Sequence, residues 1–193
     1  IRDDLVTGVQ TCALPICLPN AAVALRCSLT DLTRHSDSVS LSLNKGLGAP
    51  LGAILAGTSA FIEEAVRVRQ RFGGGWRPAG IPAAAGLLAL DGWEAWIAED
   101  HVVATLLGDA LAEIPGVAVD QGQIQSNLVL ARVDGMTGED LCRRLADAGV
   151  LVLPYLEDAV RIAIYRDVTR DDVQRIADAF RKVGCNRNGG PRQ

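Results

Sequence analysis

The sequence predicts an α/β fold, and three observations support this prediction. Polar and apolar residues alternate over Ser38–Leu43 with the period of two that is typical of a β-strand. Leu141, Leu145 and Ala148 have helical spacing and lie between short apolar runs that are typical of strands. Hydrophobic residues make up 49% and charged residues 22% of the 193-residue chain, proportions that are ordinary for a packed globular protein.

The first part of the chain is predicted to form two helical segments, two strands and then three helices. In chain order they span residues 20–26, 28–35, 38–43, 53–56, 59 to the glycines at 73–75, 79–90 and 93–113. The second strand, around Ala53 to Ala56, is expected to be buried because its residues are small and apolar. Ser59 is expected to cap the next helix, because a serine hydroxyl accepts a hydrogen bond from a first-turn amide.

The second part of the chain has the predicted order β-α-β-β-α, which indicates a small α/β unit. The strands are predicted at residues 127–133, 150–153 and 160–164. Thr137 with Asp140 three residues later has the pattern of a capping box and predicts a helix start. Thr169 with Asp172 predicts the start of the last helix in the same way.

Charge, hydropathy and cysteine content exclude several classes of partner and site. The net charge is −4 and the pI is about 5.2, without a basic stripe, so a nucleic-acid partner is not expected. The longest apolar stretch, residues 47–57, is too short to span a bilayer and contains Pro50, so no membrane contact is expected. The five cysteines fit neither a zinc site nor a disulfide framework. We therefore expect no metal, free thiols and a cytoplasmic protein.

The first residues of the chain are predicted to be foreign to it. Residues 6–16 look like the translation of a widely used sequencing adapter. Residues 1–17 are therefore expected to be an artefact without ordered structure, and the gene is expected to continue upstream of Leu18. At the other end, the polar residues 184–193 are expected to form a frayed tail.

Lys45 follows the predicted strand at 38–43 and opens a glycine-rich loop, Asn44–Pro50. Ligands of α/β proteins bind outside the carboxyl ends of strands, and a neutral lysine amine can form a Schiff base with an aldehyde. Gly46 and Gly48 would let a bulky cofactor approach the backbone. The alternative is a solvated surface lysine, which is the usual state of this residue type.

Three arginines are further candidates for binding anions. Arg77 follows three glycines, 73–75, ahead of a predicted helix, an arrangement that suits a phosphate, although the segment also reads as a flexible linker. Arg161 and Arg166 lie on and after the predicted strand at 160–164. Arginine suits bidentate binding of a carboxylate, but Arg161 also fits a solvated face of the strand.

One segment, Asp37–Pro50 with Asn44-Lys45-Gly46 inside it, strongly resembles the cofactor-lysine motif of low-specificity threonine aldolases. Further segments are similar to the same family in the same order, and the resemblance extends from Leu18 to about Val183. These segments are residues 18–25, 72–90, 98–101 and 160–169.

The resemblance implies a fragment of the type I fold of transferases that depend on pyridoxal 5'-phosphate. Lys45 would hold the cofactor through a Schiff base, and Arg77 would reach a cofactor phosphate in the neighbouring subunit of a homodimer or homotetramer. Arg166, and also Arg161, would hold the carboxylate of an amino-acid substrate. The family cleaves threonine, allo-threonine or related β-hydroxy-α-amino acids to glycine and an aldehyde.

The resemblance also implies how the chain divides. Residues 18–113 would be the end of the large cofactor domain, and residues 114–183 the small C-terminal domain. Asn44 stands where the family has serine, and Ile164-Tyr165 where it has Thr-His. The family's residues that stack on the cofactor ring and pair with its nitrogen would lie upstream, so the chain by itself is expected to be inactive.

Two alternatives to the aldolase remain open from the sequence. The first is a β-eliminating lyase of the same fold. The second is a domain without catalytic activity that serves for interaction or dimerisation.

Overall fold

The computed structural model describes residues 18–185. The predicted artefact at residues 1–17 lies outside the described residues. The predicted tail at 184–193 begins inside the last helix, and its residues 186–193 lie outside the described part. The described residues divide into two compact units, one up to Ile97 and the other from Ala98, and the division falls within a long helix. The predicted domain boundary at residue 113 refers to the whole protein and stays a prediction.

The described residues form helices and two antiparallel sheets in the predicted order. The helices are α1 (Leu18–Leu25), α2 (Leu29–Thr33), α3 (Ser59–Arg71), α4 (Gly80–Ala89), α5 (Trp93–Ala112), α6 (Gly138–Asp147) and α7 (Arg170–Cys185). The strands are β1 (Ser38–Ser42), β2 (Ala53–Gly57), β3 (Val117–Val119), β4 (Leu128–Val133), β5 (Leu153–Tyr155) and β6 (Ala159–Ala163). A 3-10 turn, Gln121–Gln123, and the short β3 were not predicted.

In the first unit, β1 pairs antiparallel with β2, in a register that sets Ser38 opposite Gly57 and Ser42 opposite Ala53. The core of this unit is small and is built mainly by the loop after β1 and by α4 and α5. Its buried residues are Ala22, Leu43, Leu47, Ala49, Ala89, Trp93 and Ile97.

The prediction that β2 is buried was wrong, because all five of its residues are exposed in this chain. The prediction of a strand here is confirmed, and the strand pairs antiparallel with β1. Burial needs a further layer or strand that covers the side chains fully, and the described residues of this unit leave every residue of β2 exposed. The exposed fractions of Ile54, 40%, and Leu55, 43%, follow from this.

The prediction that Ser59 caps α3 was wrong by one residue. Thr58 has extended backbone angles, φ −64° and ψ 155°, and its hydroxyl accepts a hydrogen bond from the Phe61 amide at 3.3 Å. Ser59 is already the first helical residue. Both Thr58 and Ser59 have side chains that can cap a helix, so the backbone geometry decides which of them caps α3.

The sheet of the second unit has the strand order β3-β4-β6-β5, and every neighbouring pair is antiparallel. Along β4 the side chains alternate, with Val129, Ala131 and Val133 buried. These side chains pack with apolar residues of α5, α6 and α7, including Leu107, Leu141 and Phe180, which are fully buried. The helices therefore cover one face of the sheet and build a continuous core.

Both predicted helix starts of this unit are confirmed. The Thr137 hydroxyl accepts from the Asp140 amide at 3.1 Å, and the Asp172 carboxylate accepts from the Thr169 amide at 2.9 Å. The strand predicted at 150–153 instead begins at Leu153. The reason is that the Val150 amide donates to the Leu145 carbonyl at 2.8 Å, so the first residues after α6 complete the end of that helix.

Two observations bear on the predicted partners and thiols. Within the described part of the chain, no helix has the length and apolar character needed to cross a membrane. Cys27 and Cys142 are free thiols, as predicted.

Candidate functional site

Lys45 lies in a folded loop that connects β1 to β2 and is fixed by backbone hydrogen bonds. The Leu43 amide donates to the Gly52 carbonyl at 2.9 Å, and the Ala49 amide donates to the Leu43 carbonyl at 2.9 Å. The Gly48 amide donates to the Lys45 carbonyl at 2.8 Å, which closes a tight turn around the lysine. Gly48 has φ +77°, a conformation that favours glycine. The backbone of Lys45 is therefore held in place.

The burial pattern of this loop leaves the side chain of Lys45 exposed to solvent. Leu43, Leu47 and Ala49 are buried in the core of the first unit and anchor the loop, whereas Asn44 and Lys45 are exposed. The Ser42 hydroxyl donates to the Asn44 side-chain oxygen at 2.7 Å, which orients Asn44 beside the lysine. A primary amine on a fixed, exposed turn is open to an incoming aldehyde.

Two of the three glycines before Arg77 donate their amides to the end of α3. The Gly73 amide donates to the Gln70 carbonyl at 3.1 Å, and the Gly74 amide donates to the Arg69 carbonyl at 2.8 Å. These two amides therefore complete the end of α3, and α4 begins only at Gly80. Arg77 itself is exposed, and it makes no ion pair with the described residues.

An apolar pocket of about 570 Å³ lies in the first unit beside these segments. Trp76, Leu87 and Leu43 are among its lining residues, and Arg69 is its charged member. Neither Lys45 nor Arg77 lines it. The two predicted cofactor residues therefore do not line this pocket.

A second pocket, of about 550 Å³, lies against the sheet of the second unit, and Arg161 lines it. Arg161 stands on β6 opposite Leu130 of β4, and Leu130 lines the same pocket. Polar groups of the lining come from the 3-10 turn and the residues that flank it: Asp120, Gln123, Gln125 and Ser126. Ile124, Leu128 and Tyr155 add apolar and aromatic surface. The predicted arginine therefore lines a cavity of ligand size whose walls are partly polar and partly apolar, and does not lie on a flat face of the strand.

Two arginines of this pocket differ in their partners. The Arg132 Nε donates to the Asp158 Oδ2 at 3.0 Å, which neutralises its charge. Arg161 is half-buried, and its side chain makes no hydrogen bond or ion pair with the described residues. A guanidinium that lacks a carboxylate from its own fold is suited to bind one from a ligand.

Arg166 lies in the loop between β6 and α7 and is exposed. It interacts electrostatically with Asp100 of α5, which is only 4% exposed. Burial is the largest cause that raises the pKa of Asp100, followed by the nearby Glu99 charge, while Arg166 lowers it, and the result is a pKa of about 6. Arg161 therefore lines a pocket, whereas Arg166 is exposed and interacts electrostatically with a buried acid.

Sequence reasoning missed that Asp100 is buried. Asp100 precedes Val103, Ala104 and Leu107 with the spacing i, i+3, i+4, i+7, which places a carboxylate on the buried face of a helix. Aspartate is almost never buried without a partner. This departure from the apolar pattern was the available signal.

A family model described as "Beta-eliminating lyase" matches residues 18–134, which is more than half of the chain. The chain is 34% identical over 167 residues to low-specificity L-threonine aldolase 1 of Arabidopsis thaliana, covering 85% of this chain and 47% of that protein. It is also 34% identical over 162 residues to the low specificity L-threonine aldolase of Escherichia coli K12, covering 84% and 47%. The chain therefore spans about half the length of the curated relatives it matches.

Solved structures agree on the fold. A Listeria monocytogenes EGD-E protein assigned as an L-allo-threonine aldolase superposes with a TM-score of 0.70 at 18% identity, covering 86% of this chain and 50% of that one. A PLP-dependent aminotransferase from Streptococcus suis 89-1591 superposes with a TM-score of 0.60 at 16% identity, covering 80% and 43%. At such low identity these likenesses establish the fold alone, which is that of transferases dependent on pyridoxal phosphate.

Proposed function

Because the chain belongs to the beta-eliminating lyase family, we propose that the whole protein is an aldehyde-lyase that depends on pyridoxal 5'-phosphate. Its substrates would be L-threonine, allo-threonine or a related β-hydroxy-α-amino acid, cleaved to glycine and an aldehyde. The similarity to low-specificity threonine aldolases at 34% identity supports this choice of reaction. The observation that carries the proposal is the exposed, backbone-anchored Lys45 within the region that matches the family.

Lys45 is proposed to hold the cofactor. Pyridoxal phosphate, when bound, accepts electrons from the bonds at the substrate's α-carbon, and the protein supplies binding and orientation. The residues present fit this group, because the Lys45 amine is exposed on a turn that three backbone hydrogen bonds and the buried Leu43, Leu47 and Ala49 hold in place. Arg77, exposed and without an ion pair to the described residues, is proposed to contact the cofactor phosphate in a neighbouring subunit.

Arg161 is proposed to bind the substrate carboxylate. It lines a cavity of about 550 Å³ and has no carboxylate partner among the described residues, whereas the charge of Arg166 interacts with the buried Asp100. Arg166, the first sequence candidate, is thereby the weaker of the two. A planar guanidinium binds a carboxylate through two parallel hydrogen bonds and so fixes the orientation of the amino acid.

We further propose a cytoplasmic homodimer or homotetramer as the working form. Free thiols at Cys27 and Cys142 suit a reducing compartment. Light scattering of the whole protein checks the subunit number.

The test uses borohydride reduction of the whole protein after incubation with pyridoxal phosphate. The chain contains two lysines, Lys45 and Lys182, so Lys182→Ala is a matched control. We expect a peptide containing Lys45 to carry the reduced cofactor, and Lys45→Ala to lower the cleavage rate by at least about 1000-fold, because the covalent attachment is lost. Lys182→Ala should label and turn over like the parent. Full activity in Lys45→Ala would refute the proposed role of this lysine.

A β-eliminating lyase is the second candidate, and the description of the matching family favours it. The products separate the two reactions. Glycine and an aldehyde in equal amounts from threonine support the aldolase, whereas ammonia and a keto acid from a β-substituted amino acid support elimination.

A further inference from the structure

Strand β2 has none of the features that protect an exposed edge strand. Among the described residues its sheet has two strands, so β1 is the only strand beside it there. Natural edge strands are kept from pairing with other segments by shortness, charged side chains, proline or bulges. β2 has the five-residue sequence AILAG, and its register with β1 runs over all five residues without a bulge. Its composition is therefore that of an interior strand.

The edge strands of the second unit show the contrast. β3 and β5, the outer strands of that sheet, have three residues each, and β5 contains Pro154. Proline is confined to edge strands and strand ends because it has no amide hydrogen for the ladder. The chain thus protects both edges of one sheet and leaves β2 unprotected. This difference indicates that β2 has a second neighbour in the whole protein.

The side of β2 that is not paired with β1, here called the free edge, carries the amide and the carbonyl of Leu55. The Leu43 amide donates to the Gly52 carbonyl at 2.9 Å and so continues the register of β1 and β2 by one pair. In an antiparallel ladder, pairs that exchange hydrogen bonds alternate with pairs that do not. Ile54, two residues after Gly52, therefore directs its amide to β1, whereas Leu55 directs its amide to the free edge.

Both faces of β2 are also uncovered. Ile54 and Leu55 point to opposite faces of the sheet, and both are exposed. Ile54 lines the apolar pocket of about 570 Å³ together with Trp76 and Leu87. An unbroken apolar run is typical of a strand whose two faces are both covered. The same strand therefore lacks a neighbour at one edge and a cover on its faces.

The length of the relatives indicates what pairs with β2. This chain spans about half the length of the curated relatives it matches, so a comparable length of polypeptide belongs to each of them outside the matched region. Sheets usually have about four to six strands, and the sheet of the first unit has two. A strand on the same polypeptide also has a higher effective concentration at the free edge than a second copy of the chain has.

We propose that, in the whole protein, a β-strand from the part that lies outside this chain pairs with the free edge of β2. β2 then becomes an interior strand, and the added strand accepts a hydrogen bond from the Leu55 amide. The inference does not rest on the proposed reaction, because the free edge is the same whichever substrate the protein cleaves.

Amide hydrogen exchange tests the pairing, with the Ile54 amide as the matched control because it faces β1. In the 193-residue chain we expect the Leu55 amide to exchange at least about 100-fold faster than the Ile54 amide. In the whole protein the two amides should exchange within about tenfold of each other, since both are then bonded within the sheet. If the Leu55 amide stays at least about 100-fold faster in the whole protein, the proposal is overturned.

A proline substitution separates strand pairing from side-chain packing. Leu55→Pro removes the amide hydrogen at the free edge, which an edge strand tolerates and an interior strand does not. Leu55→Ala, the matched control, shortens the side chain and keeps the amide hydrogen. In the whole protein we expect Leu55→Pro to lower the urea midpoint, measured by circular dichroism, by at least about 1 M more than Leu55→Ala does. Equal midpoints of the two variants would contradict the pairing.

The identity of the neighbouring strand decides between the outside part and a second copy. Nuclear Overhauser contacts from the Leu55 amide to residues outside this chain support the proposal, whereas contacts between β2 and the β2 of a second copy overturn it. None of these measurements uses the substrate. A whole protein that cleaves no β-hydroxy amino acid but protects the Leu55 amide would refute the proposed function and leave the pairing intact.

Discussion

The two units of this chain differ in how far they bury their apolar residues. In the second unit, three helices cover one face of a four-stranded sheet, and Leu107, Leu141 and Phe180 have no exposed surface. In the first unit, a two-stranded sheet carries an apolar strand, β2, with every residue exposed. A two-stranded sheet is marginal in water unless other elements pack on it. The comparison teaches that apolar residues are buried only where another layer of the structure covers them.

Helices show the same contrast as strands. In the first unit, α3 has no buried residue, and Phe72, Leu87 and Leu88 are 87%, 73% and 74% exposed. In the second unit, α6 buries Leu141 and Leu145 completely. Exposed apolar patches of this kind are typical of surfaces that contact other protein segments. The first unit is therefore expected to be the less stable of the two.

The largest expected effect comes from one phenylalanine in each unit. Phe180→Ala should reduce the free energy of unfolding of the second unit by about 3–5 kcal/mol, because it empties a fully buried position. Phe72→Ala, at an 87% exposed position, should change stability by less than about 0.5 kcal/mol. Hydrogen exchange of β4 amides measures the second unit. Tryptophan fluorescence in urea measures the first, which contains all three tryptophans, at positions 76, 93 and 96. Equal losses of stability in the two variants would contradict the difference between the two units.

A glycine in each unit gives the next effect. A Cβ on Gly138 would lie 2.4 Å from the Ala159 carbonyl oxygen, so Gly138→Ala should destabilise the second unit by about 1–3 kcal/mol through a backbone shift. A Cβ on Gly80 of α4 would meet no atom within 4 Å, so Gly80→Ala should not destabilise the first unit. The same two methods measure both variants. A stable Gly138→Ala protein would show that the packing of α6 against β6 is looser than described.

Helix caps give the smallest effect. Thr137→Ala removes the cap of α6 and should destabilise the second unit by about 1 kcal/mol, because that helix is packed through Leu141 and Leu145. Thr58→Ala removes the cap of α3, which buries no residue, so the loss should be confined to fraying of its first turn. Amide exchange of the first-turn residues compares the two. A larger loss for Thr58→Ala would reverse the comparison.

Local signals in the sequence predicted much of the fold. The alternation over residues 38–43 predicted β1, and the pairs Thr137–Asp140 and Thr169–Asp172 predicted the starts of α6 and α7, because periodicity and capping act within a few residues. Whether Thr58 or Ser59 caps α3 depended on backbone geometry that neighbouring residues do not reveal. The same is true of the start of β5, which lies at Leu153. The site followed the same division. Lys45 was predicted from its place after β1, and the roles of Lys45, Arg77, Arg161 and Arg166 stay predictions.

The sequence by itself determined the order of elements, the family and the lysine turn, because each is indicated by residues that are close together in the chain. Only the tertiary structure decided which apolar residues are buried, as in β2, and which charges meet across long separations. Arg161 lines a pocket because β4 and β6 pair, and Glu99 of α5 meets Arg170 of α7 although 71 residues separate them in the chain. Burial and ion pairing depend on distances between distant segments, and those distances are set by packing, which sequence patterns do not specify.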